Sequence, residues 1–164
     1  CIRDRAAYPI KFREWSLRQD SGGVGENRGG LGAVYEIELL EEEAKAFIFG
    51  ERSKFAPPGV VGGGDGALNK FSYEHQNEFK SPPLASKMVN ISLSKGQAVR
   101  LETPGGGGYG KAYKRKIDSV LNDVKLEYIS TALASSEYGV VINDEGEVDE
   151  GKTFASREKI RQTR

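Results

Sequence analysis

A glycine-rich stretch, "LETPGGGGYGKAYKRK" at 101–116, carries the residue types of a phosphate-binding loop. Gly105, four further residues, Gly110 and Lys111 match the G-x-x-x-x-G-K frame, in which backbone N–H groups surround phosphates and the lysine neutralises them. Such a loop also needs a serine or threonine hydroxyl directly after the lysine to bind magnesium, and Ala112 stands there. We therefore interpret the stretch as a glycine-rich turn system and not as an ATP site.

Sixteen of the 21 glycines fall into three clusters, Gly22–Gly32, Gly59–Gly66 and Gly105–Gly110. The first cluster has Arg28 where a dinucleotide-binding G-x-G-x-x-G frame needs its third glycine, and no helical pattern follows the frame of the second. We expect these glycines to adopt positive φ or to let two backbones approach closely. The residues given this structural role are Gly22, Gly23, Gly29, Gly30, Gly62, Gly63, Gly64, Gly105, Gly106, Gly107, Gly108 and Gly110.

Two polar side chains in the first glycine cluster region are the candidate catalytic residues, Asp20 and Arg28. A guanidinium in a glycine-rich loop can bind a carboxylate or phosphate through two parallel hydrogen bonds, so Arg28 either clamps an anion or braces its own loop. Asp20 and Ser21 precede two glycines, a pattern that is also typical of an Asx-turn.

Other chemistry is sparse in this chain. His75 is the only histidine, which excludes a metal site with two imidazoles within the chain, and Cys1, at its end, is the only cysteine. No Ser-His-Asp or Cys-His arrangement can be argued from one histidine and a terminal cysteine. We expect His75, in the polar stretch "SYEHQNEF", to lie in a loop or an interface. No metal ligands are assigned.

The composition excludes several classes of protein. Lysine plus arginine and aspartate plus glutamate both number 24, so the formal net charge of zero gives no sign of nucleic-acid binding. No apolar run approaches the roughly 20 residues of a membrane span. A lone cysteine fits a reducing cytoplasm. Because the chain begins with Cys1 and not Met, we expect a fragment of a longer protein, a processed product being the alternative.

Between the glycine clusters, apolar residues recur with a period of two, which indicates antiparallel strands of a sandwich or barrel. The stretch "ELLEEEAKAF" is either helical or, as we prefer, a strand, a charged hairpin tip at Glu41–Glu43 and a second strand. The positions expected to face a core are Ile10, Phe12, Trp15, Leu17, Val34, Ile37, Leu39, Val89, Ile91, Leu93, Val99 and Leu101.

Helical patterns replace the strand patterns after Gly110. Apolar residues at i, i+3, i+4 and i+7 from Ile117 predict an amphipathic helix. "ISTALASSEYG" predicts a second helix that Ser130 caps and Gly139 ends, and "FASREKIRQTR" a polar terminal helix. The predicted fold is therefore α+β and mostly β, with a helical tail.

The predicted domain organisation places one boundary after the third glycine cluster. Residues 1–110 are expected to form an antiparallel β-rich domain with three Gly-rich loops. Residues 111–164 are expected to form the helical tail, with a short extended segment near 140–142.

Three stretches together resemble the C-terminal part of the hydantoinase B/oxoprolinase family: "DSGGVGENRGGLGAVYEIELL", "GVVGGGDGALNK" and "LETPGGGGYGKAYKRKIDSVLNDVKLEYISTALASSEYGVVI". "YPI" and "SK" at Ser86–Lys87 also match the family pattern, and the resemblance extends from about residue 8 to 142. The family usually has an acidic or small residue where Lys111 stands, and commonly Gly-Asp where this chain has Gly96–Gln97.

The resemblance implies a subunit of a cytoplasmic ATP-dependent hydrolase that opens a cyclic amide such as a hydantoin or 5-oxoproline. It implies that ATP and magnesium bind to a partner A-type subunit with an actin-like ATPase fold, and that the partners are this subunit and the rest of the B-type subunit, in a hetero-oligomer. A divalent metal, if used, would be held in the longer N-terminal part, and the fragment alone would be inactive. Two alternatives stay open: a subunit of the acetone or acetophenone carboxylase type, and a non-catalytic assembly module.

Overall fold

The computed structural model describes residues 8–163, which form two compact units interleaved along the chain. The first, here called the sheet unit, comprises 8–18, Ala33–Phe55 and Leu68–Pro104. The second, called the glycine unit, comprises Gln19–Gly32, Ala56–Ala67 and 105–163. Residues of the predicted 1–110 domain are thus found in both units, and the boundary after residue 110 stays a prediction.

The sheet unit contains seven strands in two antiparallel sheets, which confirms the predicted mostly β, antiparallel architecture; no closed barrel forms among the described strands. The larger sheet has the order β1-β2-β7-β4-β5, and the smaller one pairs β3 with β6. The strands are β1 Ile10–Leu17, β2 Ala33–Leu39, β3 Glu43–Phe49, β4 Lys70–His75, β5 Glu78–Lys80, β6 Lys87–Ser94 and β7 Ala98–Glu102.

The two faces of the larger sheet differ because alternate side chains of a strand point in opposite directions. One face contributes Leu39 and Phe71 to a core that β6 completes with Ile91 and Leu93. The other face carries a network of arginine–glutamate pairs, whose members are Arg13, Arg18, Arg100, Glu14, Glu36, Glu38, Glu74 and Glu102.

Three of the predicted core positions are exposed and not buried in the core. The register of β6 on β3 shifts near Asn90, whose φ is +56°, so Met88 packs against the core and Val89 is 52% exposed. A bulge inserts one unpaired residue and reverses the alternation beyond it. Trp15 and Leu17 lie on a strand and on the face of the larger sheet that forms the core, but at 61% and 56% exposure they are not packed in that core.

Two connections differ from the prediction. β2 and β3 do form around Glu41–Glu43, but they belong to different sheets, so the connection is not a hairpin. His75 is the last residue of β4 and not part of a loop, while its place in an interface stays a prediction; it pairs with Glu78 across a two-residue turn formed by Gln76 and Asn77. Periodicity missed this hairpin because its strands are short and polar.

The glycine unit contains the three predicted helices: α1 Ile117–Lys125, α2 Thr131–Ser136 and α3 Glu150–Thr163, with a 3₁₀ turn at Ala112–Lys114. The caps are confirmed, since the Ser130 hydroxyl accepts a hydrogen bond from the Leu133 N–H at 3.1 Å and Gly139 has φ of +64°. The core of the unit consists of Ala112, Val120, Ile129, Ala134, Tyr138 and Val140. Within the described residues, the helices are too short or too polar to cross a membrane.

Candidate functional site

Three glycine-rich segments, Gln19–Gly32, Ala56–Ala67 and Gly105–Gly110, lie side by side in the glycine unit and are here called the glycine bundle. Backbone hydrogen bonds join all three. The Gly23 N–H donates to the Gly106 carbonyl at 2.8 Å, and the Gly108 N–H donates to the Gly64 carbonyl at 2.9 Å. Because backbone N–H and C=O groups of these segments bond to one another, the segments satisfy their hydrogen bonds without a regular sheet.

The segments lie so close together that side chains would not fit between them. A Cβ at Gly29 would run into the backbone of Gly106, and one at Gly105 would overlap the Ser21 carbonyl. Gly110 has φ of +75°, which L-residues rarely adopt. Gly30 differs, since a Cβ there would meet no atom within 4 Å.

The amides of the phosphate-loop-like stretch donate to protein carbonyls. The N–H groups of Gly106, Gly108 and Gly110 donate to the carbonyls of Gly30, Gly64 and Val60 at 2.9, 2.9 and 3.0 Å. In a phosphate-binding loop such groups converge on the ligand. Here the same N–H groups instead hold the three segments of the glycine bundle together.

Lys111 lines a cleft of about 320 Å³ together with Gly62, Gly63, Gly64 and Glu137. Its ammonium group lies 5.9 Å from the centre of the Tyr113 ring. The cleft therefore places one cation and one carboxylate beside the glycine bundle.

Arg28 binds a carboxylate of its own chain. Its Nε lies 3.1 Å from Oδ2 of Asp123, which is 5% exposed, and its NH1 group donates to the Gly29 carbonyl at 2.7 Å. Arg115 donates from the other side to the same Asp123 oxygen, at 2.9 Å. Two guanidinium groups thus neutralise one buried carboxylate. The prediction that Arg28 takes part in catalysis stays untested, but the described contacts are those of a brace.

Asp20 fixes the start of the same segment. Its φ is +59°, its carboxylate Oδ1 accepts a hydrogen bond from the Ser130 N–H at 2.7 Å, and its own N–H donates to the Tyr128 carbonyl at 3.1 Å. The Arg28 guanidinium lies 5.3 Å from the centre of the Tyr128 ring. Asp20 and Arg28 are thus brought to one region, the connection between α1 and α2, and both hold the glycine bundle against it.

Sequence reasoning missed Asp123, Arg115 and Tyr138 in this arrangement. Asp123 lies three residues after the fully buried Val120 and so on the inner side of α1, a position that could have marked it as a buried acid. Tyr138 is also fully buried, and this burial raises the pKa of its hydroxyl, while Arg115 opposes the shift. No group of three His, Cys, Asp or Glu residues in the part of the chain that the structure describes is placed to hold a metal ion.

A family model described as hydantoinase B/oxoprolinase matches residues 5–112. The match includes the strands of the sheet unit and all three segments of the glycine bundle. The chain belongs to the hydantoinase B/oxoprolinase family. The resemblance drawn from the glycine clusters is therefore confirmed.

Curated relatives extend this family match over most of the chain. An uncharacterized protein of Methanocaldococcus jannaschii is 42% identical over 137 residues, which cover 82% of this chain and 23% of the relative. Caprolactamase subunit beta of Pseudomonas jessenii is 34% identical over 155 residues, which cover 92% of this chain and 26% of the relative. The chain thus spans about a quarter of the length of these relatives.

Two solved structures share the fold. The crystal structure of an ATP-dependent caprolactamase from Pseudomonas jessenii has a TM-score of 0.81 at 33% identity, over 94% of this chain and 27% of that one. A nucleotide-free acetone carboxylase has the same TM-score at 22% identity, over 94% and 25% of the two chains. The second likeness concerns the fold alone.

Proposed function

We propose that this member of the hydantoinase B/oxoprolinase family is the C-terminal part of a B-type subunit in an ATP-dependent cyclic amide hydrolase. The observation that carries the proposal is the 34% identity to caprolactamase subunit beta over 92% of the chain. Caprolactam, hydantoin and 5-oxoproline share one feature, an amide bond that closes a ring. The substrate class is therefore a cyclic amide.

Such a hydrolase needs ATP because amide resonance makes the ring carbonyl a poor electrophile. Transfer of the γ-phosphoryl group of ATP to the amide oxygen releases ADP and activates the carbonyl carbon, which water then attacks. The ring C–N bond breaks as its nitrogen takes up a proton, and hydrolysis of the resulting acyl phosphate by a second water releases phosphate and the ring-opened product. In this proposal ATP and magnesium bind to an A-type partner subunit with an actin-like ATPase fold. A divalent metal, if the enzyme uses one, is held by the rest of the B-type subunit, and the assembly is a cytoplasmic hetero-oligomer.

The part of this chain in the proposed enzyme is a scaffold. Arg28 binds the Asp123 carboxylate and Asp20 accepts a hydrogen bond from the Ser130 N–H, contacts within the same unit that support a structural role for both side chains. The amides of the third glycine segment likewise bond to neighbouring segments. The catalytic residues accordingly lie in the rest of the subunit or in its partner.

The test is an assay of the B-type subunit that contains this chain, with and without its A-type partner. We expect ring opening of caprolactam, hydantoin or 5-oxoproline with release of ADP only when both subunits are present, and no turnover by the 164-residue chain alone. Magnesium-dependent ATP binding by this chain alone, with weaker binding after Lys111→Ala, would overturn the scaffold assignment.

A carboxylase of the acetone carboxylase type is the second candidate, because that enzyme has the same TM-score to this chain as caprolactamase. Its lower identity, 22% against 33%, favours the hydrolase. ATP consumption that depends on bicarbonate would favour the carboxylase. Assembly with an A-type subunit and no turnover of either kind would favour the non-catalytic assembly module.

A further inference from the structure

One apolar row of side chains crosses the larger sheet of the sheet unit and is only partly covered. Cross-strand pairing places Trp15 of β1 beside Tyr35 of β2, Tyr35 beside Leu101 of β7, and Leu101 beside Phe71 of β4. Directly paired residues lie on the same face of a sheet. The row therefore continues the face that forms the core of the sheet unit.

Burial falls along this row. Phe71 is 7% exposed, Tyr35 and Leu101 are half-buried, and Trp15 is 61% exposed. Leu17, two residues further along β1, is 56% exposed. A tryptophan exposed to this degree at the end of a core row is unusual for a surface that faces water permanently.

The exposure of Trp15 and Leu17 follows from the narrowness of the smaller sheet, which packs on this face with β6 against β4. β1 lies three strand spacings from β4 in the larger sheet, roughly 14 Å at about 4.8 Å per spacing. The smaller sheet has two strands against the five of the larger one, and Trp15 and Leu17 of β1 stay exposed beside it.

The uncovered surface has the chemistry of a core and not of a polar ligand site. The Trp15 ring stacks on Tyr35 with 5.3 Å between ring centres and makes an edge contact with Phe12 at 5.1 Å. The side chains of β1 on this face are all apolar, namely Ile10, Phe12, Trp15 and Leu17. The charged residues of β1 lie on the opposite face with the arginine–glutamate network.

The smaller sheet also has unpaired strand edges. Among the described strands, β3 and β6 pair only with each other, so each leaves one row of backbone N–H and C=O groups without a strand partner. A strand added to such an edge gains main-chain hydrogen bonds and brings alternate side chains to the sheet beneath it.

We propose that an apolar, strand-forming segment from the rest of the B-type subunit extends the β3–β6 sheet and covers Trp15, Tyr35 and Leu17. The proposal rests on the proposed function, because it takes this chain as part of a longer subunit. The chain spans 23% and 26% of its first relatives, so about three quarters of the polypeptide of each relative lies outside the match and is long enough to supply such a segment. The continuity of the row with the core also favours a permanent contact within one polypeptide.

The test measures the reactivity of a thiol placed in the row. The B-type subunit that contains this chain is prepared with Trp15→Cys in a background whose other cysteines are serine. The matched control is Lys11→Cys, on the opposite face of the same strand. Each thiol is then labelled with a maleimide under native conditions, in the full subunit and in the 164-residue chain.

We expect the two thiols to react at similar rates in the 164-residue chain, and the Trp15→Cys thiol to react at least about tenfold more slowly than the control in the full subunit. Leu17→Cys should behave in the same way and serves if Trp15→Cys fails to fold. If the thiol at position 15 or 17 and the control thiol at position 11 react with maleimide at equal rates in the full subunit, the proposal is overturned.

If an A-type subunit or a second copy of this chain covers the row instead, the labelling rates change under different conditions. Protection that appears only after an A-type subunit is added, or only as the concentration of the chain itself rises, would also overturn the proposal, in favour of a partner subunit or a second copy. The labelling needs no turnover, so a failure of the hydrolase assay leaves this result unaffected.

Discussion

Arg28 and Asp123 form a buried ion pair, with 3.1 Å between Nε and Oδ2, although 95 positions separate them in the sequence. Arg115 binds the same carboxylate oxygen at 2.9 Å, so a single acid holds two guanidinium groups. The pair ties the first glycine segment to α1. The stability of the glycine unit should therefore depend on Asp123 more than on other acids of that helix.

Asp123→Asn should lower the free energy of unfolding by about 3 kcal/mol, because two largely buried guanidinium groups lose their counter-charge. The measurement is urea unfolding followed by circular dichroism. Asp118→Asn, an exposed acid in the first turn of the same helix, is the control and should cost less than about 1 kcal/mol. Equal effects of the two substitutions would show that the ion pair contributes no special stability.

The glycine bundle provides a second comparison, between two adjacent glycines. Gly29→Ala should destabilise the chain by at least about 3 kcal/mol, because its Cβ would overlap the backbone of Gly106, which no rotamer change relieves. Gly30→Ala has open space and a negative φ, so it should change stability by less than about 1 kcal/mol. Thermal unfolding of both variants tests this, and a Gly29→Ala protein as stable as the parent would contradict the close packing.

Local sequence patterns predicted the elements whose cause is local. The spacing from Ile117 fixes α1, and Ser130 and Gly139 bound α2, because capping depends on a few neighbouring residues. The glycine clusters predicted close backbone approach. Which segments approach one another could not be predicted, because those partners are set by hydrogen bonds between distant parts of the chain.

The sequence-based predictions that failed did so for equally specific structural reasons. Alternation alone assigned Val89 to the core, but the bulge at Asn90 moves Met88 into that place. Arg28 was recognised as an anion-binding group, whereas its anion, Asp123, lies in a helix whose polar residues looked solvent-exposed from the sequence. A residue that acts through a distant partner leaves only a weak local signal.

The charged face of the sheet unit should make stability depend on pH. The hydrogen bond from Arg13, 2.9 Å long, is the main cause that holds the pKa of Glu38 below its usual 4.5. A carboxyl whose pKa is lowered in the folded state adds stability above its unfolded pKa, and this stability is lost as the pH falls through the folded pKa. We therefore expect the free energy of unfolding to decrease as the pH falls below about 4.5.

The control for this pH effect is Arg13→Gln, which removes the charge that lowers the pKa of Glu38. Urea unfolding at a series of acidic pH values should give a shallower decrease for this variant than for the parent. Parallel curves for the two proteins would mean that other carboxyls cause the acid sensitivity.

The β4–β5 turn offers a stabilising change. Gln76 and Asn77 both have positive φ, +53° and +64°, which is the backbone of a type I′ hairpin turn. Asn at the first position and Gly at the second adopt this conformation with least strain, so Gln76→Asn combined with Asn77→Gly should raise the free energy of unfolding by about 1 kcal/mol.

Asp144→Gly is the control for the turn, since Asp144 lies in another turn region but has no positive φ. A glycine there adds freedom to the unfolded chain without relieving strain in the folded one, so it should lower stability. The melting temperatures of the two variants should therefore shift in opposite directions. A loss of stability in the doubly substituted hairpin would mean that the side chain of Gln76 or Asn77 contributes more than the backbone strain costs.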